Sequence, residues 1–230
     1  MMSLDLGSVL VTGGSSGLGA AVAEAVADAG GRPVVLDRVA PKAGTEHVLV
    51  DLADRRAAEA AVGQAIEGCQ GRVSVVTAAG TDACGRLEDV PADEWERVVR
   101  VNLFGTVAVV RAALPALAAT GGRVVTVAST LGLRGVSDAT AYCASKFGVV
   151  GFTQALAAET AGRVGVTLLV PGGMHTAFFD DREERYKPPP DAKLNRPEDV
   201  AAAVLFALRQ PAGCEVRELL ICPSMESSWP

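Results

Sequence analysis

Thr12-Gly13-Gly14-Ser15-Ser16-Gly17-Leu18-Gly19 decides how this 230-residue chain reads. The stretch ends a short apolar run at 8–12 and opens a stretch with helical apolar spacing at 17–29. Glycine at 13, 17 and 19 lets the backbone turn tightly, so that Ser15, Ser16 and Leu18 can bring main-chain N–H groups close to a pyrophosphate. The helix N-terminus adds unpaired donors and the positive end of its dipole. Glycines also make ordinary turns, so the cluster alone is weak. Its position carries the argument: it sits at the first strand-to-helix junction, where dinucleotides bind in open α/β sheets.

Outward from this turn, apolar runs alternate with amphipathic stretches. Residues 8–12, 33–37, 47–51, 73–77, 123–128, 166–170 and 217–221 are near-continuous in Val, Leu and Ile, as buried parallel strands are. Between them, 17–29, 54–69, 91–119, 140–161 and 196–209 predict helices, with Pro91 and Pro197 in first turns. The alternation requires right-handed crossovers. It predicts a single-domain α/β fold over 1–230: a Rossmann-type doubly wound, seven-stranded, mostly parallel sheet with helices on both faces. Only 177–195 lacks regular periodicity. With its charges and three consecutive prolines it reads as a substrate loop or a mobile surface.

Composition narrows the function. A hydrophobic content of 49% against 21% charged is that of an ordinary globular protein, and 4% aromatics leaves a core of Ala, Val and Leu. The net charge of −6, with no Lys/Arg run, provides no footprint for nucleic acid. Residues 1–6 lack the basic and apolar regions of a signal peptide. The longest apolar stretch, 106–119, is broken by Arg111 and Pro115 and is short for a bilayer. Five scattered cysteines without Cys-x-x-Cys suit a reducing compartment rather than a disulfide frame or zinc site. The expectation is a cytoplasmic protein without nucleic-acid or membrane partners.

Asp37 ends the second strand 18 residues past Gly19. A carboxylate there accepts hydrogen bonds from the adenosine ribose hydroxyls and repels a 2′-phosphate, which favours NAD over NADP. Arg38 next door can offset that repulsion, stack on adenine, or simply face solvent. Further along, Tyr142 and Lys146 lie four residues apart on one helix face. Free tyrosine titrates near 10, so ionising it at pH 7 takes about 4 kcal/mol. An ammonium at ~5 Å contributes about 3 kcal/mol at an effective dielectric of ~20, and an oxidised nicotinamide adds a second positive charge. Together they would make Tyr142 an acid/base near neutral pH. Ser129 ends the fifth strand 13 residues earlier, where its hydroxyl can donate to a substrate carbonyl. Asn102 is a polar amide inside an otherwise apolar helix.

These residues, in this order, resemble the short-chain dehydrogenase/reductase family over nearly the whole chain. The resemblance rests on Thr-Gly-x-x-x-Gly-x-Gly at 12–19, Asp51-Leu52, Ala78-Ala79-Gly80, Asn102, Ser129, Tyr142-x-x-x-Lys146 and Pro171-Gly172-x-x-x-Thr176. It implies that Tyr142 is the general acid/base, Ser129 the carbonyl anchor and Asn102 the holder of a relay water. It further implies that Lys146 binds the nicotinamide ribose, Asp51 the adenine amino group and Thr176 the carboxamide. The implied activity is hydride transfer between NAD, or NADP, and a secondary alcohol or ketone, without a metal. The alternatives are an NADP-dependent ketoreductase and a non-catalytic cofactor-sensing protein. Two departures stand out. The family's Asn-Asn-Ala-Gly reads Thr77-Ala78-Ala79-Gly80, removing an asparagine that steadies the sheet. The glycine-rich C-terminal strand is replaced by 216–221 and a tail ending in Ser228-Trp229-Pro230.

His175, beside the expected nicotinamide, reads as a loop or pocket residue, since Tyr142 and Lys146 already fill the acid/base role. His47 is expected at an exposed strand start, and Arg134 on the surface. Leu131, Leu133, Val136, Phe178 and Phe179 suggest an apolar pocket wall. The resemblance also implies that helices 91–119 and 140–161 meet symmetry mates in a homodimer or homotetramer. Val109 and Val149 are the candidate contacts there, with Cys143 packed nearby.

Overall fold

Valine dominates the strands, and β-branched side chains suit an extended, pleated backbone. The computed structural model describes residues 6–226, so the 228–230 tail lies outside the described residues. β1 (Ser8–Thr12), β2 (Arg32–Asp37), β3 (Glu46–Leu49), β4 (Val73–Thr77), β5 (Arg123–Val127), β6 (Gly165–Pro171) and β7 (Glu218–Ile221) form one seven-stranded sheet. Its order is β3-β2-β1-β4-β5-β6-β7 and every pairing is parallel. β1, β4 and β5 are buried along their whole length, whereas β3 and β7 are edges with exposed positions. The uniform burial expected of all seven strands therefore fails at the edges, where one side has no neighbour. His47 is exposed, one residue inside β3.

α1 (Gly17–Asp28) and α6 (Pro197–Leu208) cover one face of the sheet through Val22, Val26, Val200 and Val204. α2 (Arg55–Glu67), α4 (Thr106–Thr120) and α5 (Thr140–Glu159) cover the other. Leu10, Leu36 and Leu117 are fully enclosed there, each contributing about 2 kcal/mol of apolar burial. Asp54 starts α2 by accepting the Arg56 and Ala57 amides, which are otherwise unpaired donors of the first turn.

The helix predicted over 91–119 is not one regular helix. α3 (Ala92–Val99) runs into a π turn at Arg100–Gly105 before α4 begins. The continuous run Ala92–Thr120 has 29 residues and a mean hydropathy of 1.6 in its most apolar window, enough on length and composition to cross a bilayer. That is longer than the apolar stretch at 106–119 suggested. In this fold, however, its α4 half packs on the sheet.

Val109 and Val149 cannot be intersubunit contacts, because both are fully buried within this chain. The outward positions on the same helical runs are Phe104, 56% exposed, and Phe147, 46% exposed. Cys143 is likewise buried within the chain, in α5.

After β3 the chain returns to the other side of β1 to form β4. The connections leaving β1 and β4 therefore diverge, and a crevice opens at the carboxyl ends of the strands.

Candidate active site

At that crevice lies a cavity of about 1380 Å³. Its first wall is the glycine turn. Gly13 has φ +69°, and a Cβ there would lie 2.6 Å from Ala79 Cα. Gly19 packs so closely that a Cβ would collide with the Gly13 carbonyl oxygen. Both positions exclude side chains for reasons of backbone alone. Gly13, Ser16, Gly17, Leu18 and Gly19 line the cavity, and α1 begins at Gly17 with Ser16 as its N-cap. Ser15 does not line it. Its amide donates to Asp37 Oδ2 at 3.0 Å and its hydroxyl to the Val39 carbonyl, so it braces the turn against the end of β2.

The adjoining wall holds Asp37, Arg38, Asp51 and Leu52. Asp37 also accepts the Val39 amide at 3.3 Å, so two backbone N–H groups fix its carboxylate. Arg38 is exposed. Partial burial pushes the Asp51 carboxyl up, but the Ala53 amide, the Arg97 guanidinium at 3.0 Å and the charge of Arg38 outweigh it and hold it below its ordinary value. Ala78, Ala79 and Gly80 line the floor. The Thr12 hydroxyl accepts the Ala79 amide at 3.1 Å, tying β1 to the turn after β4. Thr77 stands where the family pattern has asparagine, and buries a hydroxyl with no partner among the described residues.

Deeper in, Ser129, Tyr142 and Lys146 converge on the same cavity. Ser129 follows β5, accepts the Leu131 amide at 3.1 Å and is hydrogen-bonded to the Tyr142 phenol. Lys146 Nζ lies 5.6 Å from the Tyr142 ring centroid and donates to the Val127 carbonyl at 2.9 Å. Burial pushes the phenol up to about 12, and the Ser129 hydrogen bond offsets only part of that. Burial also brings the Lys146 ammonium down to about 8. The expectation of a tyrosine poised near neutral pH is thus corrected for the free protein. Removing the phenolate from water costs more than its neighbours return, so Tyr142 stands as a neutral O–H donor.

Asn102 does not line the cavity. It sits in the π turn with its amide fully engaged: Oδ1 accepts the Thr81 amide at 2.8 Å, while Nδ2 donates to the Thr81 carbonyl at 2.9 Å and Ser145 Oγ at 3.0 Å. Its main-chain carbonyl accepts the Thr106 hydroxyl at 2.8 Å. In this structure the Asn102 side chain clamps the segment after Gly80 to α5.

The far wall comprises Pro171, Gly172, Thr176 and the 177–195 loop, which contains two short 3-10 turns. Thr176 caps the first turn by accepting the Phe178 amide at 3.4 Å. His175 and Arg134 are exposed and do not line the cavity. Of the expected apolar wall, Leu131, Phe178 and Phe179 are in place. Leu133 instead packs beside Val149, and Val136 faces solvent.

The residues present fit a dinucleotide. Lys146 is 4% exposed, and among the described residues its ammonium has one protein acceptor for three hydrogens, a shortage that a ligand's hydroxyls would relieve.

The sequence missed Asp82, Cys84 and Arg182, which also line the cavity. No local pattern marks them, because Asp82 and Arg182 meet across 100 residues of chain.

Residues 8–187 match the family model described as short chain dehydrogenase. The chain is 32% identical over 226 residues to an uncharacterized oxidoreductase of Staphylococcus aureus, covering 93% of this chain and 96% of that protein. It therefore belongs to the short chain dehydrogenase family and is an oxidoreductase by membership. It is also 35% identical to part of a glycine betaine reductase of Emericella nidulans; the match covers 94% of this chain but spans only 19% of that protein's length. Two solved structures, each 24% identical, share the fold. An aldohexose dehydrogenase of Thermoplasma acidophilum in ligand-free form superposes with a TM-score of 0.86, covering 96% of this chain and 93% of its own. An alcohol dehydrogenase of the archaeon Thermococcus sibiricus, complexed with 5-hydroxy-NADP, gives 0.81, covering 93% and 95%.

Proposed function

We propose that this protein interconverts a secondary alcohol and a ketone with a nicotinamide cofactor, and that NAD is preferred. The observation that carries this reading is the Ser129–Tyr142–Lys146 group at the inner end of a cavity whose outer end is the glycine turn. The turn and the start of α1 would hold the pyrophosphate, Asp37 the adenosine ribose, Asp51 the adenine and Lys146 the second ribose. Ala78, Ala79, Gly80, Pro171, Gly172 and Thr176 would enclose the nicotinamide half. When bound, the nicotinamide supplies or accepts the hydride. Tyr142 donates its phenolic proton to the substrate oxygen in the reducing direction, while the Ser129 hydroxyl polarises the same oxygen. At about 8 the Lys146 ammonium remains mostly protonated at pH 7, so its charge stabilises the phenolate left behind.

The NAD preference rests on Asp37, whose carboxylate is fixed by two backbone amides at the end of β2. A 2′-phosphate there would meet a held negative charge. The exposed Arg38 favours the second reading, an NADP-dependent ketoreductase. Side-by-side titration with NADH and NADPH separates the two, and tighter NADPH binding would overturn the preference. A cofactor-sensing protein without chemistry is disfavoured because the three catalytic candidates are present and in contact. Reduction of simple ketones in a coupled absorbance assay tests that point.

The protein is further proposed to act on small molecules as a homodimer or homotetramer in the cytoplasm, where its five free thiols would stay reduced. Phe104 and Phe147 replace the buried valines as the expected contact, accompanied on α5 by exposed Ala144, Gly151 and Ala155. Sedimentation of Phe147→Asp should give monomers, and a fully active wild-type monomer at micromolar concentration would remove the proposal.

A further inference from the structure

The reaction just proposed leaves one buried carboxylate in the cavity unused. Asp82, its side chain 7% exposed, follows the Ala78–Gly80 turn and lies near enough to Tyr142 and Lys146 for its charge to act on both. It accepts the Ala83 amide at 2.7 Å, the Cys84 thiol at 3.3 Å and the Arg182 guanidinium at 2.7 Å. That guanidinium in turn lies over two rings, with Cζ 5.1 Å from the Phe178 centroid and 4.6 Å from that of Phe179. Phe178 packs on Tyr142 itself at 5.7 Å. A carboxylate and two aromatic faces within cation–π range thus stand beside the phenol, and a cation already occupies them.

Arg182 is an imperfect occupant. Its Nε is buried with no partner among the described residues, and Nη1 reaches the Tyr186 carbonyl only at 3.3 Å. A buried N–H without an acceptor opposes binding. A quaternary ammonium has no N–H to satisfy; it keeps the ring contacts and the charge attraction to Asp82, gives up the Arg182 hydrogen bond, and avoids that cost. Asp181, Glu183 and Asp191 also line this end of the cavity, with Lys193 as the opposing charge. An anionic substituent would have to displace Asp82 from the guanidinium and then sit beside it.

We infer that Asp82, Phe178 and Phe179 form a receptor for a cationic, alkylammonium substituent on the substrate, which Arg182 occupies until the substrate displaces it. The inference takes its reaction from the proposed function, but the binding preference stands apart from turnover. No bond changes in the receptor, so it acts on specificity alone.

The test uses a ketone pair of equal shape, trimethylammonioacetone and its neutral isostere 4,4-dimethylpentan-2-one, with 4-oxopentanoate as the anionic probe. Calorimetric titration should show the cationic ketone binding at least about tenfold tighter than the isostere, and reduction should show the same ratio in kcat/KM. Asp82→Asn should bring that ratio to within about threefold. Should that variant fail to fold, Arg182→Ala serves in its place, because vacating the receptor should tighten binding of the cationic ketone several-fold. Equal binding of the isostere, or tighter binding of 4-oxopentanoate, overturns the inference. Preference in binding without turnover of any ketone removes the proposed reaction and leaves the receptor standing. Turnover without preference does the reverse.

Discussion

At the glycine-turn end of the cleft, the walls are mainly strand ends, the short turns that follow them and the first turn of α1. At the other end, one whole wall is the 177–195 loop, with two 3-10 turns and no longer element. The first end is held by backbone packed against backbone, Gly13 on Ala79, and by two main-chain amides, those of Ala79 and Ser15, held by the Thr12 hydroxyl and the Asp37 carboxylate. The second is held by side chains. Its base is pinned by the His175 amide on the Asn195 carbonyl and the Asn195 amide on Gly173, but its body is gathered around Arg182. Backbone constraints leave no room for variation, whereas side-chain contacts can be exchanged one at a time. Under the proposed function, that difference gives a fixed cofactor end and an adaptable substrate end.

Tyr142 stands where the two ends meet, so altering it should separate chemistry from binding most sharply. Tyr142→Phe is expected to lower kcat by about 10³-fold or more, with NADH affinity changed only a few-fold. Steady-state kinetics beside a fluorescence titration checks both halves. Residual activity above about a tenth of wild type would show that another group supplies the proton.

Lys146 gives the next largest effect, read through stability. Its folded value of about 8 lies below the ordinary 10.5, so between those values the unfolded chain binds more protons than the folded one. Stability from this group is present above 10.5 and is lost as pH falls to about 8, with a swing of about 3 kcal/mol. Tyr142, raised from 10 to about 12, acts in the opposite sense and destabilises the fold as pH climbs through that window. Denaturant unfolding of wild type from pH 7.5 to 9.5 should therefore show rising stability, and Lys146→Met should flatten it. Parallel pH profiles for the two proteins would contradict the burial of this cation.

Legibility in the sequence followed the same division. The glycine turn could be read because a left-handed φ of +69° together with backbone against the missing Cβ at Gly13, and the close approach at Gly19, leave room for glycine alone. Tyr142 and Lys146 could be read because helical spacing alone puts them on one face. The Asp82–Arg182 pair could not, since its partners are joined by tertiary folding and have no local period. The exposed positions of α4 and α5 were hidden for another reason. A helix apolar nearly all round has no polar stripe to show which way it faces, and so its pattern does not set the buried Val109 and Val149 apart from the exposed Phe147 or from Phe104 in the π turn. The π turn was hidden because the rotation of about 100° it imposes on the following residues leaves no trace in a helix apolar nearly all round.

Asp37 tests the fixed end at a smaller scale. Asp37→Ala removes both the proposed ribose acceptor and the repulsion of a 2′-phosphate, and it frees the Ser15 amide. NADH affinity should fall by about tenfold, and its ratio to NADPH affinity should narrow, because the two cofactors then differ only by the phosphate. An unchanged ratio in side-by-side titrations would assign the discrimination to Arg38.

The adaptable end should respond to Arg182→Ala with the smallest global change and a clear local one. Arg182 joins Asp82, the Tyr186 carbonyl and two phenyl rings, yet none of these contacts reaches the two apolar cores beside the sheet. Its loss should therefore lower the free energy of opening the loop without changing that of unfolding the sheet. A partly buried, hydrogen-bonded ion pair with ring contacts is worth about 1–2 kcal/mol locally. Cleavage by a glutamate-specific protease at the exposed Glu183 and Glu184 should then quicken by roughly tenfold, while Tm moves by no more than about 2 °C. A large fall in Tm would show that the loop is part of the same cooperative unit as the sheet. Unaltered cleavage would show that the pinned base at Asn195, rather than Arg182, holds the loop shut.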